Sequence, residues 1–358
     1  MERANHRLRP GRLTVGWVLA GVSTVIIAVL AGLALGPVRL NPLAVGAELL
    51  DLIPGVTIHS GLSGREAAIV TQLRLPRVCL GLLVGAMLAL AGSAYQGVFR
   101  NPLADPWLLG AAAGAGLGAT LAIVRANALG DVSAVGGPGT PPGVPVAAFA
   151  GALIAVGLTY VLGASSGRYR TPATLILAGV AVANFLTAGQ SFLMLRYADT
   201  IRVVYSWIMG RLTVAGWHDV LLLLPYVLVA GTVIVAHARQ VDVLSVGDEE
   251  ARSLGAHPVR TRYLLIIAAS LGTAAAVSVS GLIGFVGIIV PHTVRLLAGA
   301  SYRVILPLSM LFGAAFLTLA DLAGRTLLAP TEIPIGVVTA FFGAPFFIIV
   351  LRTSRRVG

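Results

Sequence analysis

Residues 13–35 read LTVGWVLAGVSTVIIAVLAGLAL, an unbroken apolar run that follows an arginine-rich segment at 1–12. A helix rises about 1.5 Å per residue, so roughly 20 apolar residues cross the ~30 Å of hydrocarbon in a bilayer. The run exceeds the ~7–15 residues of a signal-peptide core, and no convincing small-x-small cleavage site accompanies it. It is therefore predicted to be a membrane-spanning helix that stays in the mature protein.

Similar apolar runs recur along the whole chain. Of its 358 residues, 57% are hydrophobic and 11% are charged, and the mean hydropathy of +0.92 lies far outside the range of soluble domains. Because no stretch is left for a sizeable soluble domain, residues 1–358 are expected to form one all-α, polytopic membrane domain. About ten spans are predicted, at 13–35, 76–96, 107–124, 144–163, 172–195, 219–237, 260–280, 283–298, 304–322 and 335–351.

Glycines recur at four-residue spacing in the second and third of these spans. Small residues at such spacing let two membrane helices approach closely. Close helix packing is therefore predicted at Gly81, Gly85, Gly110, Gly114 and Gly118.

The basic residues bear on partners and on nucleotide binding. The formal net charge is +11, and all 25 basic residues are arginines, because the chain has no lysine. They are scattered in short loops instead of lying on one polar face, which argues against nucleic-acid binding. A Gly-x-x-x-x-Gly-Lys-Ser/Thr loop needs its lysine to reach nucleotide phosphates, so any ATP must be bound by another subunit. The single Cys79 excludes an internal disulfide.

The arginines also predict the topology. Most of them fall on the side of the ten-helix arrangement that carries both termini, including the basic segment 1–12 and the tail 352–358. Arginine-rich loops stay on the cytoplasmic side of a membrane. Both termini are therefore expected in the cytoplasm.

Residues 240–258 form a loop on the same side, with VDVLSVGDEEARSLGAHP at 241–258. Asp248, Glu249 and Glu250 suit the first turn of a helix, where carboxylates complement the dipole, and Gly255 suits its C-terminal cap. A short cytoplasmic helix is predicted. Three carboxylates would face an anionic leaflet if it lay on the membrane, so a protein partner is favoured.

Several motifs occur in one order along the chain. They are RLPR at 74–77, GAMLALAG at 85–92, QGVFRNPLADP at 96–106, GFVGIIVPHTVR at 284–295 and EIPIGVVT at 332–339. In these motifs the chain resembles the FecCD-type permeases of ATP-driven importers for iron chelates, haem or vitamin B12. It departs from them at 299–303, where Gly-Ala-Ser-Tyr-Arg replaces the family's more usual Asp-His before the arginine.

The resemblance implies the architecture of a type II ABC importer permease and a set of partners. Two permease copies would surround a central pathway, with two ATPase subunits that bind ATP and Mg²⁺ and a periplasmic binding protein that delivers the chelate. The chain itself would be no enzyme, would hold no cofactor, and would lie in the bacterial cytoplasmic membrane among its lipids. Whether the second permease is identical or a paralogue stays open.

The resemblance also implies three groups of site residues. Coupling to the ATPase is assigned to Leu244, Glu249, Glu250, Ala251, Leu254 and Gly255. Docking of the binding protein is assigned to Arg74, Arg77 and Arg325, with interfacial anchoring as the competing interpretation. Lining of the pathway is assigned to Asn184, Thr187, Gln190 and Ser191, with helix-to-helix hydrogen bonding as the competing interpretation.

Other functions find less support. An ion-coupled secondary transporter of a small metabolite is the main alternative, but such proteins place ionisable groups near the bilayer midplane, and the predicted spans have essentially none there. No motif of an intramembrane enzyme is present. The isolated His292 lacks neighbouring ligands, so no metal site is predicted. Ferric siderophore is the first substrate expected, then haem, then cobalamin.

Overall fold

The computed structural model describes residues 12–55, 57–130, 143–164, 172–212 and 216–354, and most of these residues are helical. The basic segment at 1–11, the Gly/Pro-rich stretch at 131–142 and the end of the tail lie outside them. The helices are α1 Val15–Ala34, α2 Pro42–Asp51, α3 Gly64–Ala68, α4 Leu75–Phe99, α5 Ala111–Ala128, α6 Gly143–Ala164, α7 Pro172–Arg196, α8 Ile201–Ile208, α9 Trp217–Ala236, α10 Ala238–Ser245, α11 Asp248–Ser253, α12 Pro258–Ser280, α13 Val286–Ala298, α14 Tyr302–Thr326 and α15 Ile335–Ser354.

Each of the ten predicted spans has a helix at its position, which confirms the all-α, polytopic fold class. Among the described residues, seven helices are long and apolar enough to cross a membrane by length and composition. α13 and α15 offer shorter apolar stretches, and α5 is diluted by glycine and alanine. That these three helices also cross the membrane, which would make ten spans in all, therefore remains a prediction.

The second span starts earlier than predicted. Ser63 and Glu66 form a capping box at the start of α3, and a π-helical turn over Ile69–Arg74 continues directly into α4. The continuous helical stretch Gly64–Phe99 has 36 residues, or ~54 Å at 1.5 Å per residue, and so exceeds the hydrocarbon thickness. The stretch between the first two predicted spans, 36–75, is thus partly helical.

α4 is the central helix of the bundle. It packs against α14, α12, α13 and α9, and it is buried along most of its length. α1 packs mainly against α14, whereas α5, α6 and α7 form a neighbouring group that reaches the centre through α12. In α1, α6, α7 and α9, at most 33% of the residues of the apolar window are buried within this chain. In a membrane, the exposed faces of these helices meet lipid or another subunit.

Glycine allows the closest of these helix contacts. A Cβ atom on Gly85 would meet the backbone of Gly313 in α14, and one on Gly114 would meet the backbone of Gly151 in α6. Gly118 likewise faces the backbone of α6, so the predicted packing role is confirmed for these glycines. Gly110 differs, because it has φ +79° and forms the turn before α5.

The chain is not helical between α12 and α13, at residues 281–285. Gly281 has φ +71° and Phe285 has φ +68°, a conformation that is uncommon for residues with a side chain. The Ser280 carbonyl accepts a hydrogen bond from the Arg211 amide at 2.8 Å. This contact satisfies a backbone group that would otherwise be costly away from water.

Candidate functional site

The segment between α9 and α12 folds into the two short helices α10 and α11. Gly247 separates them with φ +138°, and a Cβ there would collide with the carboxylate of Glu250. α11 begins with three carboxylates, as predicted, and Gly255 follows its end with φ +77°. The amide of Ala256 donates to the Ala251 carbonyl at 3.0 Å, and that of Gly255 donates to Arg252 at 2.9 Å. These two bonds form a Schellman cap.

The six residues predicted to couple to the ATPase divide into two groups. Glu249, Glu250 and Gly255 are exposed, and Leu254 is 69% exposed, so all four can contact a partner. Ala251 and Leu244 are buried within this chain. The assignment of Leu244 to contact with the ATPase is therefore corrected, because its side chain packs in the core of this chain.

Two of the predicted docking arginines cap α1. The last carbonyls of a helix have no partner within it. Arg74 donates to the carbonyl of Leu33 at 2.6 Å and also to Val38, and Arg325 donates to the carbonyl of Gly32. Cations at a helix C-terminus are also favoured by the helix dipole. The two guanidinium groups therefore fix the end of α1 to α4 and α14.

This position conflicts with direct docking. Arg74 is 7% exposed and Arg325 is 5% exposed, so neither offers a free guanidinium to a second protein in this conformation. The sequence grouped both arginines in one docking role, but it could not show that backbone carbonyls would occupy their guanidinium groups. The assignment as direct docking residues is corrected to capping of α1.

Arg77 lies beside them and is fully engaged by carboxylates. Its Nε and Nη2 bond Asp321 at 2.8–3.1 Å, while Nη1 and Nη2 bond Glu332 at 2.9–3.1 Å. Asp321 also lies 3.5 Å from Arg325. The planar guanidinium suits two bidentate contacts at once. Arg77 thus joins α4 to α14 and to the turn before α15.

Removing the Arg74 cap is expected to loosen α1. Arg74→Gln loses charge-assisted hydrogen bonds that contribute about 1.5–3 kcal/mol each, so thermal stability in detergent should fall and amide exchange at the end of α1 should rise. Arg39→Gln is the matched control, because Arg39 is exposed in the loop that follows α1. If the two variants lower stability equally, the capping role is refuted.

The four residues predicted to line a pathway do not share one environment. Asn184, Thr187 and Ser191 are exposed on one face of α7, and Asn184 and Ser191 bond backbone carbonyls of their own helix. Gln190 is buried, and its amide donates to Thr120 of α5 at 3.0 Å. The prediction for Gln190 is corrected, because it holds two helices of this chain together.

The sequence did not single out two further features. A cavity of about 710 Å³ lies beside the non-helical segment before α13, with Trp107, Phe285 and Phe341 among its lining residues. Gly281 and Gly284 in an apolar run were the available signal for it. The second feature is the pair of carboxylates that holds Arg77, for which the signal was the charged Asp321 near the end of an apolar span.

The packed bundle of long apolar helices makes this chain a polytopic membrane protein, with the exposed α11 at one end and the Arg77 ion-pair cluster at the other. Residues 24–353 match the FecCD transport family. The chain belongs to this family, which confirms the resemblance seen in its motifs, and it is the permease subunit of an ATP-binding-cassette importer.

The relatives carry several substrates. The chain is 46% identical over 303 residues to the cobalamin import permease of Halobacterium salinarum, covering 85% of this chain and 78% of that one. It is 35% identical to the haemin transport permease of Yersinia pestis over 98% of both chains, and 35% identical to a ferric citrate permease of Bacillus subtilis over 88% and 92%. A solved inward-facing transporter of metal-chelate type superposes with a TM-score of 0.79 at 27% identity, covering 95% of this chain and 100% of that one.

Proposed function

We propose that this permease carries a metal chelate across the bacterial cytoplasmic membrane, from a periplasmic binding protein to the cytoplasm. Two copies of the chain would surround the pathway, and two ATPase subunits would bind ATP and Mg²⁺ and supply the energy. The Arg77 end of the bundle would face the periplasm and the α11 end the cytoplasm, together with both termini. The arginine distribution supports this orientation.

The proposed coupling to the ATPase rests on the exposed helix α11. It is a short helix that is capped at its end, turns Ala251 into the permease, and leaves Glu249, Glu250 and Leu254 exposed. A rigid helix of this kind can dock in a groove of a second protein and transmit its displacement as rigid-body motion. Leu254 would supply an apolar anchor for the ATPase, and the carboxylates of Glu249 and Glu250 would supply polar contacts.

Cobalamin is the first candidate substrate. The relative with 46% identity is a cobalamin permease, whereas the quoted haemin and ferric citrate permeases share 35% identity with this chain. This difference moves cobalamin ahead of ferric siderophore and haem, the order expected from the sequence. The apolar and aromatic cavity walls near Phe285 and Phe341 suit a large ligand without a fixed charge partner.

The exposed face of α7 supports a second copy as the neighbour. It combines the polar Asn184, Thr187 and Ser191 with Phe185 and Phe192, which are 77% and 66% exposed. Polar side chains are unfavourable against lipid and are usual beside a partner helix or a water-filled path. We therefore keep Asn184, Thr187 and Ser191 as pathway or dimer residues.

Uptake by reconstituted vesicles tests the proposed function. Vesicles with the permease, an ATPase subunit and a binding protein should take up labelled cobalamin only with ATP, and uptake should persist with a protonophore. The purified permease alone should hydrolyse no ATP, because it has no lysine for a phosphate-binding loop. ATP-driven uptake of ferric siderophore or haem in place of cobalamin would correct the substrate. Uptake driven by a proton or sodium gradient without the ATPase would favour the secondary transporter instead.

A further inference from the structure

Arg100, the residue directly after α4, reaches the segment that contains α10 and α11. Arg100 caps α4 with φ +51°, an uncommon backbone conformation for a residue with a side chain. Its Nε donates to the Leu244 carbonyl at 2.8 Å, and its Nη2 contacts the Asp248 carboxylate. The central helix of the bundle is therefore bonded to both α10 and α11.

A second arginine reaches the same carboxylate from α12. Arg262 lies in the first turns of α12, is 12% exposed in its side chain, and places Nη2 at 3.0 Å from Asp248. Burial lowers the pKa of the Arg100 guanidinium, and the charge of Arg262 lowers it further. Two neighbouring cations need an anion between them, and Asp248 takes that position.

A further carboxylate binds the segment to α14. Asp242, in α10, accepts hydrogen bonds from the Tyr302 amide at 2.5 Å and from the Ser301 hydroxyl at 2.8 Å. Tyr302 is the first residue of α14, where backbone amides lack partners within the helix. Asp242 thus serves as an N-terminal cap supplied by another helix.

We propose that Asp248, through Arg100 and Arg262, is the positioning residue that makes α11 move with α4 and α12, while Asp242 links the same segment to α14. This inference rests on the proposed function, because it assigns how a displacement of α11 by the ATPase reaches the membrane helices. α4 is the buried centre of the bundle, and α12 leads directly into the non-helical segment beside the cavity. A push on α11 therefore acts on the helices around the pathway.

Hydrogen exchange on the purified full-length permease tests the link without any partner. Asp248→Asn should lower amide protection of α11 by about tenfold, which corresponds to about 1.4 kcal/mol. Glu249→Gln is the matched control, since it removes a carboxylate from the same helical turn but from an exposed side chain. Equal protection in the two variants would overturn the link.

Coupled transport tests the consequence. In vesicles with the ATPase and the binding protein, Asp248→Asn should keep binding of the ATPase subunit and its basal hydrolysis, but uptake per ATP should fall by about an order of magnitude. Asp248→Glu should recover much of the uptake per ATP, because glutamate retains the negative charge. Asp199→Asn, which removes an exposed carboxylate beyond the end of α7, should match the unchanged protein.

The two experiments separate the inference from the proposed function. A wild-type permease that never stimulates an ATPase would refute the proposed function, and the exchange measurement would still decide the link. Wild-type uptake per ATP in Asp248→Asn, in vesicles where the unchanged protein is active, would overturn the inference. An equal loss of uptake, ATPase binding and thermal stability would also overturn it, because that pattern indicates general damage to the fold.

Discussion

Replacing Gly92 with leucine is expected to abolish formation of the folded permease. Gly92 lies where α4 crosses α13, and a Cβ atom at this position would meet the backbone carbonyl and Cα of Gly287. Extra atoms in a packed core cost about 1–3 kcal/mol, and occasionally more, even where side chains can adjust. Here the obstacle is backbone, so the helices must separate. Size-exclusion chromatography in detergent should show aggregate and no monodisperse peak.

The control for this experiment is a glycine that has space around it. Gly157 lies on the exposed side of α6, and a Cβ there would have no neighbour within 4 Å. Gly157→Ala should leave the protein intact or slightly stabilise it, because alanine favours a helix over glycine by about 1 kcal/mol. The monodisperse fraction of Gly92→Ala in size-exclusion chromatography should lie between those of Gly92→Leu and Gly157→Ala. A stable Gly92→Leu protein with wild-type uptake would show that α4 and α13 are not in this contact.

Replacing Asp321 with asparagine is expected to have the second largest effect. Asp321 is 5% exposed, bonds Arg77 through two nitrogen atoms, and is the nearest carboxylate to Arg325. Removing one partner from a buried ion pair costs about 3–5 kcal/mol, because a charge is left without compensation. The thermal midpoint in detergent should therefore fall by several degrees, and uptake should fall with it.

Glu332→Gln supplies the comparison on the same arginine. Glu332 also bonds Arg77, at 2.9 Å, but its side chain is 37% exposed. Exposed ion pairs contribute about 0–1 kcal/mol, so this change should have a small effect that higher salt reduces further. Similar losses in the two variants would show that burial of Asp321 does not set the strength of the cluster.

Local sequence patterns were sufficient to predict the long helices of this protein and α11, but not the short helices α2, α3 and α10. Long apolar runs predicted each main helix, because a helix satisfies all its backbone groups within one segment. The carboxylates at Asp248, Glu249 and Glu250 and the glycine at 255 predicted α11 and its cap, since both signals act within a few residues. The ordered motifs identified the family. Glycine spacing predicted close crossings at Gly85 and Gly114, although it could not name the opposing helices.

The environment of each polar side chain depended on residues far away along the chain. Arg325 bonds the carbonyl of Gly32, 293 positions away, and Arg77 meets Asp321 at a separation of 244. Gln190 faces Thr120 instead of the exposed side of α7. A single sequence gives the period of a helix, but the rotation of that helix against its neighbours follows from packing of the whole bundle. Composition and local pattern thus determined the helices, α11 and the family, whereas tertiary packing decided that two predicted docking arginines cap α1.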